Sequence, residues 1–176
     1  ESHPTMVFKV TEGAEDDLPD WIQERRVDIG FLSHQEGHHY QFLPVMDDEL
    51  FAVLPKGHPL EEYDAIPMKK FSGAPFVTTE YAPGSDIYRI LKEFQLKPDI
   101  RFLSINEFSV LSMVEHGLGI TILPGLLLRG HSGNFVKRRL EPRSFRRLGL
   151  GYSSYDDLSP ASRIFLEYAK SFLLDD

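Results

Sequence analysis

Short β-rich runs alternate with segments of helical apolar spacing along the whole chain, and this alternation limits the possible folds more than any other feature. A chain that goes repeatedly from strand to helix to strand packs its helices over a sheet, so the pattern points to βαβ units, a mostly parallel sheet and an α/β fold. Met6 to Val10 reads as the first strand, broken at Gly13. Glu15, Asp16 and Asp17 then place negative charge at the start of a helix whose apolar stripe runs through Leu18, Trp21 and Ile22 and which ends near Arg26. Val27 to Leu32 reads as a buried strand, Ser33 to Gln41 as a surface loop, and Leu50 to Leu54 as a strand stopped by Pro55.

The turn from Lys56 to Pro59 leads through a helix-poor connection to Phe71, then a short strand at Phe76 to Thr78. Gly84 and Ser85 start a helix with Ile87, Ile90, Leu91 and Phe94 on its inner face, and Ile100 to Ile105 is the next strand. Ser104 and Glu107 have capping-box spacing, in which hydroxyl and carboxylate each satisfy a free backbone donor. Phe108, Leu111 and Val114, or in another phase Val110, Met113 and Val114, face a core, and Gly117 provides the left-handed stop. Gly119 to Leu123, Phe135 to Leu140 and Leu148 to Tyr152 read as strands, and Ser159 with Pro160 opens a final helix. No internal repeat is present.

Composition removes several classes of function. With 27 acidic and 19 basic residues the net charge is −8, which repels a phosphate backbone. The local exception, Lys137 to Arg139 with Arg143, Arg146 and Arg147, is expected to be a solvated hairpin with charged edges rather than an anion site. There are no cysteines, so disulfides, thiolate catalysis and Cys-based zinc sites are excluded. No stretch approaches the ~20 apolar residues of a bilayer span, and no secretory pattern opens the chain, so neither export nor a membrane partner is expected.

Two helix starts are suited to a ligand, because free N–H groups and the positive end of the helix dipole favour an anion. These are Gly13 to Glu15 and the segment Thr78, Thr79, Glu80 through Ser85. Catalysis fits less well. His34, His38 and His39 lack metal-site spacing, and the GxSxG, GxxxxGK[ST] and GxGxxG patterns are missing. Glu80, Glu107 and Asp86 are the only acid–base candidates and read as caps or rim residues. No catalytic residue, metal or cofactor is therefore expected.

The strings TEG (11–13), RRVDIGF (25–31), ELFAVLPKGHPL (49–60), PFVTTE (75–80), SVLSMVEHGLGITILP (109–124) and LSPASRIFLEYAKSFL (158–173) occur in an order that resembles the effector-binding domain of LysR-type transcriptional regulators. The resemblance implies a two-lobed, periplasmic-binding-protein-like (type II) α/β fold with two crossover strands and a small effector, an organic acid or similar metabolite, between the lobes. Residues 1–47 and 151–176 would form the first lobe and 48–150 the second. The effector-binding residues it implies are Gly13, Ala14 and Phe31 with Thr78, Thr79, Glu80, Ser85, Asn106, Glu107, Gly117, Leu118, Gly119 and Ile120. Ala14 stands where many relatives carry a hydroxyl.

Relatives also begin with a further strand and helix, so the first lobe is expected to be incomplete at its N-terminus. The resemblance further implies a cytoplasmic homodimer or homotetramer that pairs through the helices at 14–26 and 85–95. DNA would be bound only through an N-terminal winged helix-turn-helix outside this chain. The alternative on the same fold is a solute-binding protein of a transporter.

Overall fold

The structure, a computed structural model, describes residues 7–35, 37–79 and 83–174. In chain order its elements are α1 (Leu18–Gln23), β1 (Gly30–Ser33), β2 (Gln41–Pro55), β3 (Ala65–Pro67), β4 (Pro75–Thr79), α2 (Asp86–Glu93), β5 (Asp99–Ser104), α3 (Glu107–Glu115), β6 (Thr121–Pro124), α4 (Gly125–Leu128), β7 (Phe135–Tyr152) and α5 (Pro160–Leu174). The chain divides into two compact units, Glu1–Met46 with Arg147–Asp176 and Asp47–Arg146. The long strands β2 and β7 each pass from one unit into the other.

In the Asp47–Arg146 unit the period of two along each strand sorts side chains into two cores. Leu50, Ala52 and Leu54 of β2, Phe76 of β4 and Ile122 of β6 enter one cluster, covered by Ile87, Ile90 and Leu91 of α2. Their sequence neighbours Val53, Val77 and Leu123 enter the other, covered by Val110, Leu111 and Val114 of α3. Both faces of these strands are buried, which is why they read as continuous apolar runs. Full burial of a side chain such as Ile90 contributes about 1.5–3 kcal/mol.

The pairings are mixed. β4 pairs with β5 and β3 with β7 in parallel, while β2 with β6 and β1 with β7 run antiparallel. The expectation of a mostly parallel sheet therefore holds only in part, because the long strand β2 runs antiparallel to β6 and the long strand β7 antiparallel to β1.

The other unit is thinner. Gly30–Ser33 pairs with Leu148–Gly151, and one small cluster, Leu150, Tyr152, Leu158 and Leu166, forms its core. Ile22 of α1 is fully buried and explains the glycines of this pair: a Cβ at Gly30 or at Gly151 would meet its Cδ1 at 3.0 Å.

Several sequence expectations are corrected. Val7 to Val10 are exposed and form no strand, and Met6 lies outside the described residues. Among the described residues no strand pairs with this run, and a β-rich run without a ladder partner stays irregular. α1 ends at Gln23, and Arg25 takes a positive φ of 59° before β1 starts at Gly30. The expected surface loop at Ser33–Gln41 contains two buried polar residues, Ser33 and Gln35. The two expected strands at Phe135–Leu140 and Leu148–Tyr152 are the ends of β7, and the run at Leu50–Leu54 is the end of β2.

Candidate functional site

The end of the parallel pair β4–β5 brings together five of the ten expected ligand residues of the Asp47–Arg146 unit, Thr78, Thr79, Ser85, Asn106 and Glu107. Thr79 pairs in register with Ser104, so both strands finish level and the starts of α2 and α3 follow from the same sheet edge. Carboxyl ends of parallel strands followed by helix starts are where open α/β sheets hold ligands. Ser85 caps α2, its Oγ accepting from the Tyr88 N–H at 3.3 Å. Asn106 caps α3, its Oδ1 accepting from Phe108 N at 2.8 Å and Ser109 N at 3.2 Å. The expected Ser104–Glu107 capping box does not form. Asn106 takes the cap position, Glu107 becomes the first helical residue, and Ser104 Oγ accepts from Asn106 N instead.

Thr78, one residue inside this edge, is 1% exposed and its Oγ1 has no hydrogen-bond partner. Glu80 lies outside the described residues.

The turn at Gly117, Leu118, Gly119 and Ile120 is at the other end of β4. Ile120 N donates to Pro75 O at 2.9 Å and Val77 N donates to Ile120 O at 3.0 Å. Pro75 begins β4, so these four residues do not join the helix starts. Gly117 has φ +75°, and Gly117 N→Val114 O with Leu118 N→Met113 O makes the double hydrogen bond of a Schellman stop. At Gly119 a Cβ would come within 2.9 Å of the Pro75 carbonyl oxygen, so glycine is required for this close approach. The pattern in this turn is therefore fully accounted for by helix ending and strand docking.

In the first unit, Gly13 lies against the Trp21 ring and Ala14 O accepts from Asp17 N at 3.0 Å, forming the turn into α1. The amide of Gln35 donates to Glu15 O at 3.1 Å, and its backbone N–H donates to the Tyr40 hydroxyl at 3.0 Å. Burial pushes the Tyr40 phenol above its ordinary range, partly offset by its bond to Gln35. Phe31, in β1, is 56% exposed. His34 stacks near Phe42 and His38 near Tyr40, and among the described residues no group of His, Asp and Glu could hold a metal ion.

A charge cluster missed by the sequence reading adjoins the helix starts. Asp48, 4% exposed, accepts from Leu126 N at 2.9 Å through Oδ1 and from Arg146 Nε at 3.1 Å through Oδ2. Arg146 Nη1 reaches Asp86 Oδ2 at 3.8 Å. Burial pushes the Asp86 carboxyl above the usual range, against the pull of Arg146 and Arg89. Glu107 is likewise raised by burial, with Arg146 opposing and Asp86 and Asp48 adding to the shift. The signal in the sequence was the run Asp47, Asp48, Glu49 at the head of an apolar strand, since charge there needs a partner.

The other basic residues of β7 are also engaged: Arg138 with Glu61, Arg139 and Arg143 with Glu49, and Lys137 over the Phe51 ring.

The comparisons with known proteins fit this geometry. The family model "LysR substrate binding domain" matches residues 1–173. The chain belongs to the LysR substrate-binding domain family. It is similar to the uncharacterized HTH-type transcriptional regulator YvbU of Bacillus subtilis (strain 168), 26% identical over 175 residues, covering 97% of this chain and 59% of that protein. The Hca operon transcriptional activator HcaR of Escherichia coli (strain K12) is 27% identical over 122 residues, covering 66% of this chain and 41% of HcaR.

Among solved structures, the effector binding domain of QuiR in complex with shikimate superposes with TM-score 0.84 at 24% identity, covering 99% of this chain and 85% of that one. The Synechocystis PCC6803 CcmR regulatory domain in complex with 2-PG gives TM-score 0.79 at 17% identity, covering 90% of this chain and 79% of that one. These likenesses establish the two-lobed type II periplasmic-binding-like α/β fold. The LysR domain is a ligand-sensing regulatory domain, and its relatives are regulators rather than transport proteins. The chain spans 59% of the length of YvbU, and among its described residues no helix is long and apolar enough to cross a membrane.

Proposed function

We propose that this LysR domain senses a small metabolite, an organic acid or a similar compound, and passes the binding event to a DNA-binding winged helix-turn-helix elsewhere in a cytoplasmic, homodimeric or homotetrameric regulator. The observation that carries the ligand site is the shared edge where β4 and β5 end level and α2 and α3 begin. Thr78, Thr79, Ser85, Asn106 and Glu107 are the second unit's ligand residues. Gly13, Ala14 and Phe31 are those of the first, and Glu80, which lies outside the described residues, is included because it follows Thr79 in the sequence. Helix starts of this kind offer oriented N–H groups and a positive dipole end to an acidic ligand.

The domain performs no chemistry in this reading. Its regulator relatives support that. So does the engagement of Asp86 and Glu107 with Arg146, which uses the raised carboxyls as members of a charge cluster rather than as a free acid–base pair. Only a ligand that prefers one conformational state shifts the regulator, with coupling of ~1–3 kcal/mol as the expected scale.

The test is a thermal-shift panel of organic acids, amino acids, aromatic acids, sugars and phosphorylated metabolites. A specific ligand at 100 times its dissociation constant stabilises the domain by ~2.7 kcal/mol. Asn106→Ala should weaken the response to that ligand. A panel without a stabilising compound, or a hit indifferent to substitutions at the α2 and α3 starts, removes this site. Size-exclusion chromatography that shows a monomer at high concentration counts against pairing through this domain.

A further inference from the structure

Arg146 is the hub of the charge cluster, although it lies far in sequence from either helix start. It is the last residue of the Asp47–Arg146 unit, on β7 where that strand passes into the other unit, and Asp48 holds the equivalent stretch of β2. We propose that Arg146 is a positioning residue that couples the two helix starts of the ligand wall: anchored on Asp48, its guanidinium holds the α2 start through Asp86 and sets the field around Glu107 at the α3 start, so that a charge change at either start is felt at the other. This rests on the reading of those helix starts as the ligand wall.

Geometry supports the α2 arm directly, and the level ends of β4 and β5 place the α3 start at the same sheet edge. Asp48 cannot turn away from Arg146 freely, because its second oxygen receives the Leu126 N–H at the head of α4. The guanidinium contacts Asp48 Oδ2 through Nε at 3.1 Å and through Nη2 at 3.1 Å, leaving Nη1 for Asp86 at 3.8 Å. A planar, forked guanidinium can serve both carboxylates at once, which an ammonium cannot do with the same geometry.

The charged groups around the hub are Asp48 from β2, Asp86 and Arg89 from α2, and Glu107 from α3, with the Leu126 N–H from α4. Arg89 is also tied elsewhere, donating to Phe145 O at 2.9 Å and approaching Glu93 at 3.6 Å. The Arg146 charge opposes the burial of both Asp86 and Glu107, while Asp48 raises both carboxyls and Asp86 also raises Glu107. Interacting carboxyls of this kind titrate as a set rather than singly.

The experiment follows backbone amide shifts of Tyr88 in α2 and Ser109 in α3 by heteronuclear NMR as the pH is taken from about 3 to 8, a span that brackets ordinary carboxyl titration. In the unaltered chain both helix starts should show inflections above the ordinary carboxylate range. Asp86→Asn should move the Ser109 inflection downward, because a neighbouring negative charge has gone. Arg146→Met should move both inflections upward, and Arg146→Lys should return them part of the way.

If Arg146→Met does not fold, Arg146→Lys, which keeps a positive charge on Asp48 without the fork that reaches Asp86, takes its place, and a smaller upward movement of both inflections is expected. An Asp86→Asn chain whose α3 start titrates unchanged overturns the proposal. So does an Arg146→Met chain that melts earlier with both inflections in place, since that is the behaviour of a merely structural ion pair. No ligand is needed, so failure here leaves the ligand-sensing reading standing. Conversely, an empty metabolite panel would remove that reading and leave the coupling measurable.

Discussion

The two units solve the same packing problem with very different resources. In Asp47–Arg146, helices α2 and α3 cover opposite faces of one set of strands, and the two buried clusters include the full side chains of Phe71, Phe76, Ile90 and Ile122. The other unit has Leu150, Tyr152, Leu158 and Leu166 as its cluster, while Ile164, Tyr168 and Phe172 of α5, Val7 and Val10 remain exposed. Since stability follows apolar area removed from water, the first of these units is the rigid one and the second the more easily opened. A sensor built this way presents its helix-start wall from firm ground.

The largest effect should come from Phe76→Ala, which empties a fully buried aromatic site inside the cluster under α2 and should cost about 3–5 kcal/mol in urea unfolding. Leu166→Ala, in the thinner unit, should cost about 2–3 kcal/mol, because the lightly packed surroundings collapse more easily into the space. Hydrogen exchange separates the two. Leu166→Ala should lower protection in β1 and α5 and leave β4 and β6 protected, whereas equal loss in both units breaks the comparison by showing one cooperative block.

The next pair probes how much each unit can give. Alanine at Gly119 meets a backbone oxygen, Pro75 O, at 2.9 Å, and backbone in a dense core moves only at a cost of about 1–3 kcal/mol. Alanine at Gly30 meets the far end of the Ile22 side chain at 3.0 Å, which can shift by a few tenths of an ångström, so the expected loss is under about 1 kcal/mol. Equal costs by thermal unfolding would mean that the units are equally tight.

Within the dense unit, Thr121 is fully buried and its Oγ1 has no partner. An orphaned polar atom is costly to bury, so Thr121→Val should stabilise by about 1 kcal/mol, a gain that differential scanning calorimetry would register. Loss of stability instead would reveal a polar partner for the hydroxyl and a core less dry than the packing implies.

The same contrast decides what could be read from the sequence. α2 was legible, since Ser85 caps it and Ile87, Ile90 and Leu91 share a buried face. The Gly117 stop was legible because only the left-handed region closes that helix. Local rules suffice where the local signal and the core agree. They failed at Val7–Val10, where β propensity has no partner strand to bond among the described residues. They failed again at β2 and β7, whose 15 and 18 residues run through charged stretches that ordinary strand patterns exclude. Polar residues persist there because Asp48 finds Arg146 and Glu49 finds Arg143 about a hundred residues away, pairings that no sequence window contains. The helix-start part of the candidate site was visible for local reasons, and its charge hub was hidden for non-local ones.

The smallest effect is the dependence of the dense unit on pH, and its sign follows from the direction of each shift. Asp86 and Glu107 have native carboxyls raised chiefly by burial. Their native state therefore holds a proton more tightly than the unfolded chain does. The stability each contributes is fully present below its ordinary unfolded value of about 4 and is lost as pH rises through the raised native value. Glu49 runs the other way: the hydrogen bond from Arg143 holds its carboxyl below the usual range, so its contribution is present above the unfolded value and is lost as pH falls through the depressed native one.

Glu107→Gln should accordingly flatten the upper part of a melting-temperature profile, and Glu49→Gln the lower part, the latter only slightly because its arginine partner is exposed and screened. If Glu107→Gln leaves the upper slope unchanged, the α3 start is wetter than its burial indicates. The contrast between a dense unit and a thinner one would then stop short of the helix starts.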